Sequence, residues 1–306
     1  MSENLLDLAV VQFSTNLEMK VQQMASRLRG RVAEGTHKGR LASPVNYLAP
    51  VKMRAPEGRF SPKGRVDAQF ERRWVSPLDR EIDQYIDTFD ELRVIVDPKS
   101  MYSTNAAAAV GREWDDILIN AAFGNALLGT DVDGLSTETF DASTYGIAVD
   151  FGASAATGLT VAKMIELRRK LRHYAQDGNP DNEQVTLVIG SQQEADLLGQ
   201  VQVVSTEYNE RPVLVDGKVA RFLGFDIVIM ERLAQVSSAR QCIAIMKSGL
   251  YLGVWMDMRS QAFQRPDLSS NPWDLNTMMT CGASRLQKGK LFQVLCKDTT
   301  GASIVA

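Results

Sequence analysis

The sequence predicts an α+β fold, because helical and strand-like segments are mixed without a regular strand–helix–strand alternation. Two observations support this prediction. Apolar residues recur every three or four positions in some segments and every second position in others. The 306 residues are 44% hydrophobic and 23% charged, which is an ordinary globular composition with enough apolar material for two cored lobes. The sequence contains no apolar run of membrane-spanning length, so we expect a soluble protein with no membrane partner.

Residues 1–46 are predicted to form an N-terminal arm. A stripe of apolar side chains at helical spacing indicates an amphipathic helix that ends near Arg29, before Gly30. The stripe consists of Phe13, Leu17, Val21, Met24 and Leu28.

Residues 47–77 are predicted to form a long β-hairpin. Apolar and polar residues alternate over 51–55 and again over 65–74, and the intervening 56–64 is rich in proline and glycine. A two-stranded ribbon alone is marginally stable in water. Since most of its few apolar residues share one face, we expect the hairpin to rest on another subunit.

Positive charge is concentrated in this part of the chain. Residues 20–73 hold 13 Lys and Arg against 4 Asp and Glu, whereas the remainder holds 21 against 33. Such a segment can be a solvated surface, contact nucleic acid, or dock on the acidic body of a neighbouring copy. Our candidate inter-subunit residues are Arg27, Arg29, Arg54, Arg59, Lys63, Arg65, Arg72, Arg73 and Trp74.

The remaining chain has the patterns of a packed body. Ser100 or Ser103 can cap an alanine-rich helix that we predict over 100–128. A second helix is predicted over 160–175, and a capping box at Ser191–Glu194 opens a third. Strands are expected at 185–189, within 212–230, within 243–255 and on both sides of a turn at 287–290.

A search for catalytic or metal-binding patterns gives little. Neither His37 nor His173 has a partner at metal-ligand spacing, and there is no phosphate-binding glycine loop. We interpret Ser154 as part of a flexible loop, and the pair Asp115–Asp116 as a solvated helix face. The odd cysteine count predicts buried free thiols at Cys242, Cys281 and Cys296. We therefore expect no catalytic residue, no metal and no cofactor.

Several segments resemble, in order, the major capsid proteins of tailed bacteriophages with the Hong Kong 97 fold. The arm contains VQQMASRLRGRV, and the long helix lies in IDTFDELRVIVDPKSMYSTNAAAAVGREWDDILINAAFGNALLGT. The later segments are TLVIGSQQEADLL, DGKVARFLGFDIVIMERL, SGLYLGVWMDM, QRPDL and CGASRLQKGKLFQVLCKD. No single segment is diagnostic, and the ordered set covers nearly the whole chain.

The resemblance implies an architecture of five segments. These are an N-terminal arm (1–46), an extended-loop hairpin (47–77), a peripheral domain with a spine helix (78–150), an axial domain (151–265) and strands that return to the peripheral domain (266–306). It also implies that the arm and the hairpin reach over neighbouring subunits. We do not assign here the covalent crosslink that some relatives form.

The implied function is self-assembly into hexamers and pentamers of an icosahedral head around double-stranded DNA. Expected partners are further copies of the chain, a portal, possible decoration proteins, and packaged DNA bound without sequence preference. Because the sequence begins close to the arm, we expect a separate scaffolding protein. The location implied is the virion, after assembly in the host bacterial cytoplasm. Two alternatives remain: an encapsulin-type nanocompartment shell, or, from another class, a soluble α+β enzyme.

Overall fold

The computed structural model describes residues 22–48, 51–55, 58, 65, 67–68, 70–87, 98–129, 134–174, 183–200, 214–215, 218–219 and 221–298. The chain divides into two compact units. The first unit comprises Met1–Ser26, Asp79–Glu113 and Met256–Met279, and the second comprises Arg27–Leu78, Trp114–Trp255 and Thr280–Ala306. Helices and several sheets are mixed, so the predicted α+β class is confirmed.

The longest helix, α1, runs over Pro98–Phe123 and confirms the predicted spine helix. Its alanine-rich interior favours a helix, and the buried residues Val110, Ile117 and Leu118 lie on it. The predicted end near Leu128 was wrong. The helix ends when Gly124 donates its N–H to the Asn120 carbonyl at 2.8 Å, and the following residues form a strand instead.

Three further helices lie in the part of the second unit that the structure describes. These are α2 (Ala142–Tyr145), α3 (Val161–Tyr174) and α4 (Ser191–Leu198). Helix α3 was predicted, and α2, which is capped by the Asp141 side chain, was not. At α4 the predicted box is shifted by one residue, because the Gly190 N–H donates to the Gln193 side chain at 3.1 Å. The N–H of Ser191 donates instead to Glu231 at 2.6 Å.

A seven-stranded sheet forms the core of the second unit. Its central strand β8 (Val185–Ile189) is buried at every residue, pairs in parallel with β12 (Phe225–Ile229) and pairs antiparallel with β14 (Ala239–Met246). Strand β17 (Leu291–Lys297) pairs with β14 over seven residues. We expected residues 266–306 to return to the peripheral domain. Within that range, β17 belongs to the same sheet as β8 and β14, and the division at residue 266 stays a prediction. The remaining members are β7 (Gly146–Ile147), β11 (Arg221–Phe222) and β13 (Gln235–Val236).

A four-stranded sheet has the order β1-β15-β16-β4. Its strands are β1 (Ala33–Thr36), β15 (Leu250–Gln264), β16 (Trp273–Arg285) and β4 (Leu78–Ile86). The predicted turn between the last two long strands is present as a 3₁₀ turn at Lys288–Lys290. A separate short pair consists of β9 (Leu214–Val215) and β10 (Lys218–Val219).

The predicted hairpin is present at its base. Strands β2 (Asn46–Leu48) and β3 (Phe70–Trp74) pair antiparallel, with Tyr47 opposite Glu71. Residues 51–55 are not a strand, contrary to prediction, and 59–64 lie outside the described residues. Next to β3 lies β5 (Ala126–Leu128), followed by β6 (Ser136–Glu138). The hairpin root is therefore one half of a four-stranded sheet.

The predicted arm helix is absent from the described part of the arm. Residues 22–29 are irregular, and Phe13, Leu17 and Val21 lie outside the described residues. The backbone N–H groups of Arg27 and Leu28 bond to the Asp115 carboxylate rather than to helix carbonyls. Leu28 is buried, as expected for an apolar residue of the predicted stripe, but it does not lie in a helix, and that prediction was wrong.

Two smaller findings complete the fold. All three cysteines are buried and free, as predicted. In the described part of the chain, no helix is both long enough and apolar enough to span a membrane.

Candidate assembly surfaces

The hairpin exposes apolar side chains beyond its root. Leu48 and Phe70 are cross-strand partners at the outer end of the β2–β3 pairing, and Phe70 is 70% exposed. Met53 is fully exposed and Val51 is about half exposed. Apolar side chains of this size are normally buried, and an exposed set rimmed by charge is typical of an interaction surface.

Basic side chains lie among these apolar residues. Lys52, Arg54 and Arg65 are all exposed. Arg65 has one carboxylate nearby, with its Nε 2.9 Å from Asp67, but both groups are so exposed that the pair contributes little to the fold. The part of the hairpin that the structure describes therefore presents positive charge and apolar surface together.

The described members of the nine predicted contact residues have different surroundings. Arg54 and Arg65 are exposed, and Arg59 and Lys63 lie outside the described residues. Arg72 donates from Nε to the Asn46 side chain at 2.7 Å across the hairpin. The four others, Arg27, Arg29, Arg73 and Trp74, contact their own subunit.

Arg73 and Trp74 are buried within the subunit, which is incompatible with their predicted role at an interface. The Trp74 indole donates to the Gly129 carbonyl at 2.9 Å, next to β5. Arg73 bonds to Glu138 and approaches Glu71 to 3.3 Å. Both residues therefore anchor the hairpin root, and we withdraw them from the set of contact residues.

Arg27 and Arg29 also contact their own chain. The Arg27 guanidinium donates to the Ile229 carbonyl. The guanidinium of Arg29 lies 4.1 Å from the centre of the Trp114 ring, and its Nε is 3.4 Å from Glu34. A guanidinium over an indole face gains a favourable cation–π interaction. These arginines hold the base of the arm on the body.

The arm follows α1 in the first unit before it reaches the second. Gln22 donates to the Asn105 side chain at 3.0 Å, and Arg112 donates to the Gln22 side chain at 2.7 Å and to the Gln23 carbonyl at 3.1 Å. At Gly111 the arm backbone is so close that an added Cβ would lie 2.9 Å from the Ser26 nitrogen. The helix has a glycine where the arm crosses it.

In the second unit the arm becomes an edge strand. Strand β1 pairs in parallel with residues 251–254 of β15. The next residue, His37, is 2.6 Å from the Tyr251 hydroxyl, and Trp255 donates to the Gly39 carbonyl at 2.7 Å. Partial burial lowers the pKa of His37 below its ordinary value. Main-chain and side-chain bonds together hold residues 33–39 in place.

Comparison with known proteins identifies the family. The sequence profile of the phage capsid proteins matches residues 6–298. The chain belongs to the phage capsid protein family. No curated protein sequence gives a significant match.

Solved capsid structures share the fold at low sequence identity. The capsid of cyanophage P-SCSP1u is 14% identical with a TM-score of 0.69, covering 96% of this chain and 94% of that one. The Ralstonia phage GP4 capsid is 10% identical with a TM-score of 0.69, covering 96% and 97%. Cyanophage Pam1 gives 13% identity and 0.69, covering 94% and 96%. The predicted Hong Kong 97-like fold is confirmed.

The first unit of this capsid protein carries an acidic strip on β4. Alternate residues of a strand share a face, so Asp79, Glu81 and Asp83 project together, and all are exposed. The opposite face contacts α1, where the Arg80 Nε lies 2.6 Å from Glu113. Tyr85, at the end of the strip, is about half exposed.

A concavity lies in the described part of the second unit of the capsid protein. Its volume is about 400 Å³, and charged side chains of both signs line it: Arg168, Arg172, Arg221, Glu183 and Asp226. Arg221 and Asp226 pair at 3.5 Å. Among the described residues, no group of His, Cys, Asp and Glu is arranged to hold a metal ion.

Three buried charged residues that organise the capsid protein were missed from its sequence. Asp115, interpreted as solvated, is 0% exposed, and Lys163 and Arg285 are 0% and 1% exposed. Each serves backbone groups that sequence spacing does not reveal. The sequence signal for such a residue is a charged side chain within an otherwise apolar face of a helix or strand. For Asp115, we interpreted that side chain as exposed to solvent.

Proposed function

We propose that this capsid protein is the major shell subunit, which assembles into hexamers and pentamers of an icosahedral head. The observation that supports this proposal is the exposure of Met53 and Phe70 among basic residues of the hairpin. Burial of such side chains is worth roughly 1.5–3 kcal/mol each. A second copy of the chain supplies the surface that buries them. The five predicted segments, 1–46 to 266–306, are proposed as its functional divisions.

The acidic strip on β4 is the surface we propose for the hairpin of a neighbouring copy. Lys52, Arg54 and Arg65 supply positive charge, and the strip supplies three carboxylates with Tyr85 beside them. Single exposed ion pairs contribute only about 0–1 kcal/mol. Complementary charge therefore acts on encounter rate and register more than on affinity, while apolar contacts supply the stability.

Charge reversal tests this assignment. We expect Lys52→Glu/Arg54→Glu to abolish shells in sedimentation and negative-stain microscopy, and Asp79→Lys/Glu81→Lys to do the same. Combining all four changes in one chain should restore assembly, since the charges are complementary again. Arg221→Glu, on an exposed arginine of β11, is the control and should assemble. Failure of the four-residue variant to assemble, with its melting temperature unchanged, would contradict the proposed pairing.

Deletion of residues 57–64 tests the hairpin itself. The subunit should keep its melting temperature, because the described contacts of the root lie at residues 42–48 and 70–75. Shell formation should be lost. Normal shells from this deletion would refute the role we assign to the hairpin.

The remaining elements of the proposal concern contents and partners. We propose that the shell encloses double-stranded DNA through non-specific electrostatic contacts, and that assembly in the host cytoplasm uses a separate scaffolding protein and a portal, with or without decoration proteins. The protein acts as a structural component rather than as an enzyme. Nuclease-protected DNA in purified particles would support this content. Enclosed protein without nucleic acid would favour a nanocompartment.

A further inference from the structure

A mostly buried carboxylate lies at the root of the hairpin. The Glu138 side chain, on β6, is only 9% exposed and contacts two cations, Arg73 and Lys288. Lys288 lies in the turn before β17 and is half exposed, whereas the Arg73 side chain is 4% exposed. One acid thus joins the returning hairpin strand β3, the strand β6 and the turn.

The sheet register explains why Glu138 and Arg73 meet. Leu128 on β5 is opposite Arg73, and Ala126, two residues earlier on β5, is opposite Glu138. Residues two apart on a strand share a face, so Arg73 and Glu138 project from one face on either side of β5. The small side chain of Ala126 leaves room for the guanidinium to cross.

A second buried guanidinium lies beside the first. Arg285, on β16, is 1% exposed and donates to the carbonyls of Ala122 at 3.0 Å, Gly124 at 3.1 Å and Glu138 at 3.3 Å. It therefore caps the end of α1. Burial, together with the charge of Arg73, lowers the pKa of Arg285. The two guanidiniums repel each other in a water-poor environment.

Glu138 is the better buried of the two acids that Arg73 contacts. Arg73, Arg285 and Lys288 contribute three positive charges, and Glu71, the other acid near Arg73, is 55% exposed. Within the described residues, the buried Nε of Arg73 has no hydrogen-bond partner. Arg73 is thus held by its terminal nitrogens, chiefly through Glu138. Loss of one partner from a buried ion pair leaves an uncompensated charge, which is strongly unfavourable.

We propose that Glu138 is a positioning residue that fixes the direction in which the hairpin leaves the subunit, and that shell assembly depends on it. The proposal rests on the proposed function, since direction matters only if the hairpin must reach a second copy. Without the Glu138 charge, Arg73 and Arg285 repel, Arg73 moves toward Glu71 and solvent, and β3 separates from β5. The hairpin then points in many directions, and few of them meet a neighbour in register.

Hydrogen exchange on the full-length subunit tests the positioning role directly. In Glu138→Gln, the amide of Gly129, which bonds to the Arg72 carbonyl where β5 meets β3, should exchange more than about tenfold faster. Amides of the buried strand β8 should be unchanged. The matched control is Glu71→Gln, which removes the exposed acid on the same arginine and should leave the root amides protected.

Assembly supplies the second measurement. Glu138→Gln should form aberrant shells or none. Glu71→Gln, whose subunit should have the same melting temperature, should form normal shells. The double variant Arg73→Gln/Glu138→Gln should recover much of the root protection, because no unpaired guanidinium remains beside Arg285. A merely structural role predicts faster exchange everywhere, a lower melting temperature and no recovery.

The outcomes separate the two proposals. Unchanged root exchange in Glu138→Gln overturns the positioning role, whatever the shells do. Faster root exchange with normal shells shows that hairpin direction does not limit assembly and overturns the link to assembly. The proposed function fails separately, if the wild-type chain, with Glu138 intact and its root amides protected, forms no hexamers, pentamers or shells.

Discussion

The Asp115 carboxylate on α1 accepts the backbone N–H of Leu28 at 3.1 Å, and both residues are buried. The same carboxylate accepts the N–H of Arg27 at 3.1 and 3.2 Å. A side chain on the spine helix thus satisfies two successive donors of the arm. This contact ends the irregular approach of the arm and directs it into β1.

Asp115→Ala should loosen the arm. The buried N–H of Leu28 and the partly buried N–H of Arg27 lose a charged acceptor, and an unsatisfied buried donor costs about 1–3 kcal/mol. We expect the free energy of unfolding to fall by about 2–4 kcal/mol in urea titrations, with faster hydrogen exchange at Arg27 and Leu28.

The neighbouring Asp116 is the control for this prediction. Asp116 pairs with Arg232 on the surface, where its side chain is 26% exposed. Asp116→Ala should cost no more than about 1 kcal/mol. Equal losses from the two variants would show that the Asp115 contact has no special weight.

Gly111 lies where the arm crosses α1, and we expect Gly111→Ala to have the opposite effect there from its effect in an isolated helix. In an isolated helix, Gly→Ala is favourable by about 1 kcal/mol. At Gly111 the new Cβ would lie within 3.0 Å of three backbone atoms of Ala25 and Ser26. Gly111→Ala should therefore displace the arm, and limited proteolysis should cut residues 22–26 faster than in the wild type.

Truncation separates the two effects of this substitution. In a chain that lacks residues 1–26, nothing crosses the helix at Gly111, and Gly111→Ala should raise the free energy of unfolding by about 0.5–1 kcal/mol. A stabilised full-length variant with unchanged proteolysis would mean that the close approach is not maintained in solution.

Apolar residues that recur every second position, or every 3.6 positions, predicted the strands and helices that bury one face in a hydrophobic core. Strand β8, helix α3 and the long helix α1 were all predictable, because each pairs an apolar face with local propensity. The end of α1 was misplaced by five residues, because Ala126–Leu128 gains more from pairing with β3 and β6 than from helix propensity.

The buried charged residues that hold the hairpin root were less predictable from the sequence, for a physical reason. Arg73 lies in a run of arginines that suggests an exposed surface, and its burial depends on Glu138, which is 65 residues away in sequence. The basic, sparsely apolar hairpin was visible as a pattern. Which of its arginines face inward depended on the register between β3, β5 and β6, and no local spacing encodes that register.

A third prediction concerns Lys163 on α3. Its ammonium, fully buried, shares its three N–H donors among four carbonyls: Val149, Thr157 and Gly158 at 2.9 Å and Leu295 at 3.0 Å. Lys163→Met keeps the volume and leaves these carbonyls without their donor, so we expect a loss of about 3 kcal/mol in denaturant titrations. Lys170→Met, which removes a half-buried ammonium from only two carbonyls, is the matched control and should cost less.

The same lysine predicts a dependence on pH. Burial lowers the pKa of Lys163 below its ordinary value of 10.5. Between the folded and unfolded pKa values the unfolded chain binds more protons, so the contribution of Lys163 to stability rises with pH in that window. The wild type should therefore gain more stability than Lys163→Met as pH approaches 10.5. Unfolding titrations of both proteins at several pH values below 10.5 would measure the difference. If the free energy of unfolding varied with pH in the same way for both proteins, the Lys163 ammonium would not be desolvated in the fold. Water would then also have access to the four carbonyls.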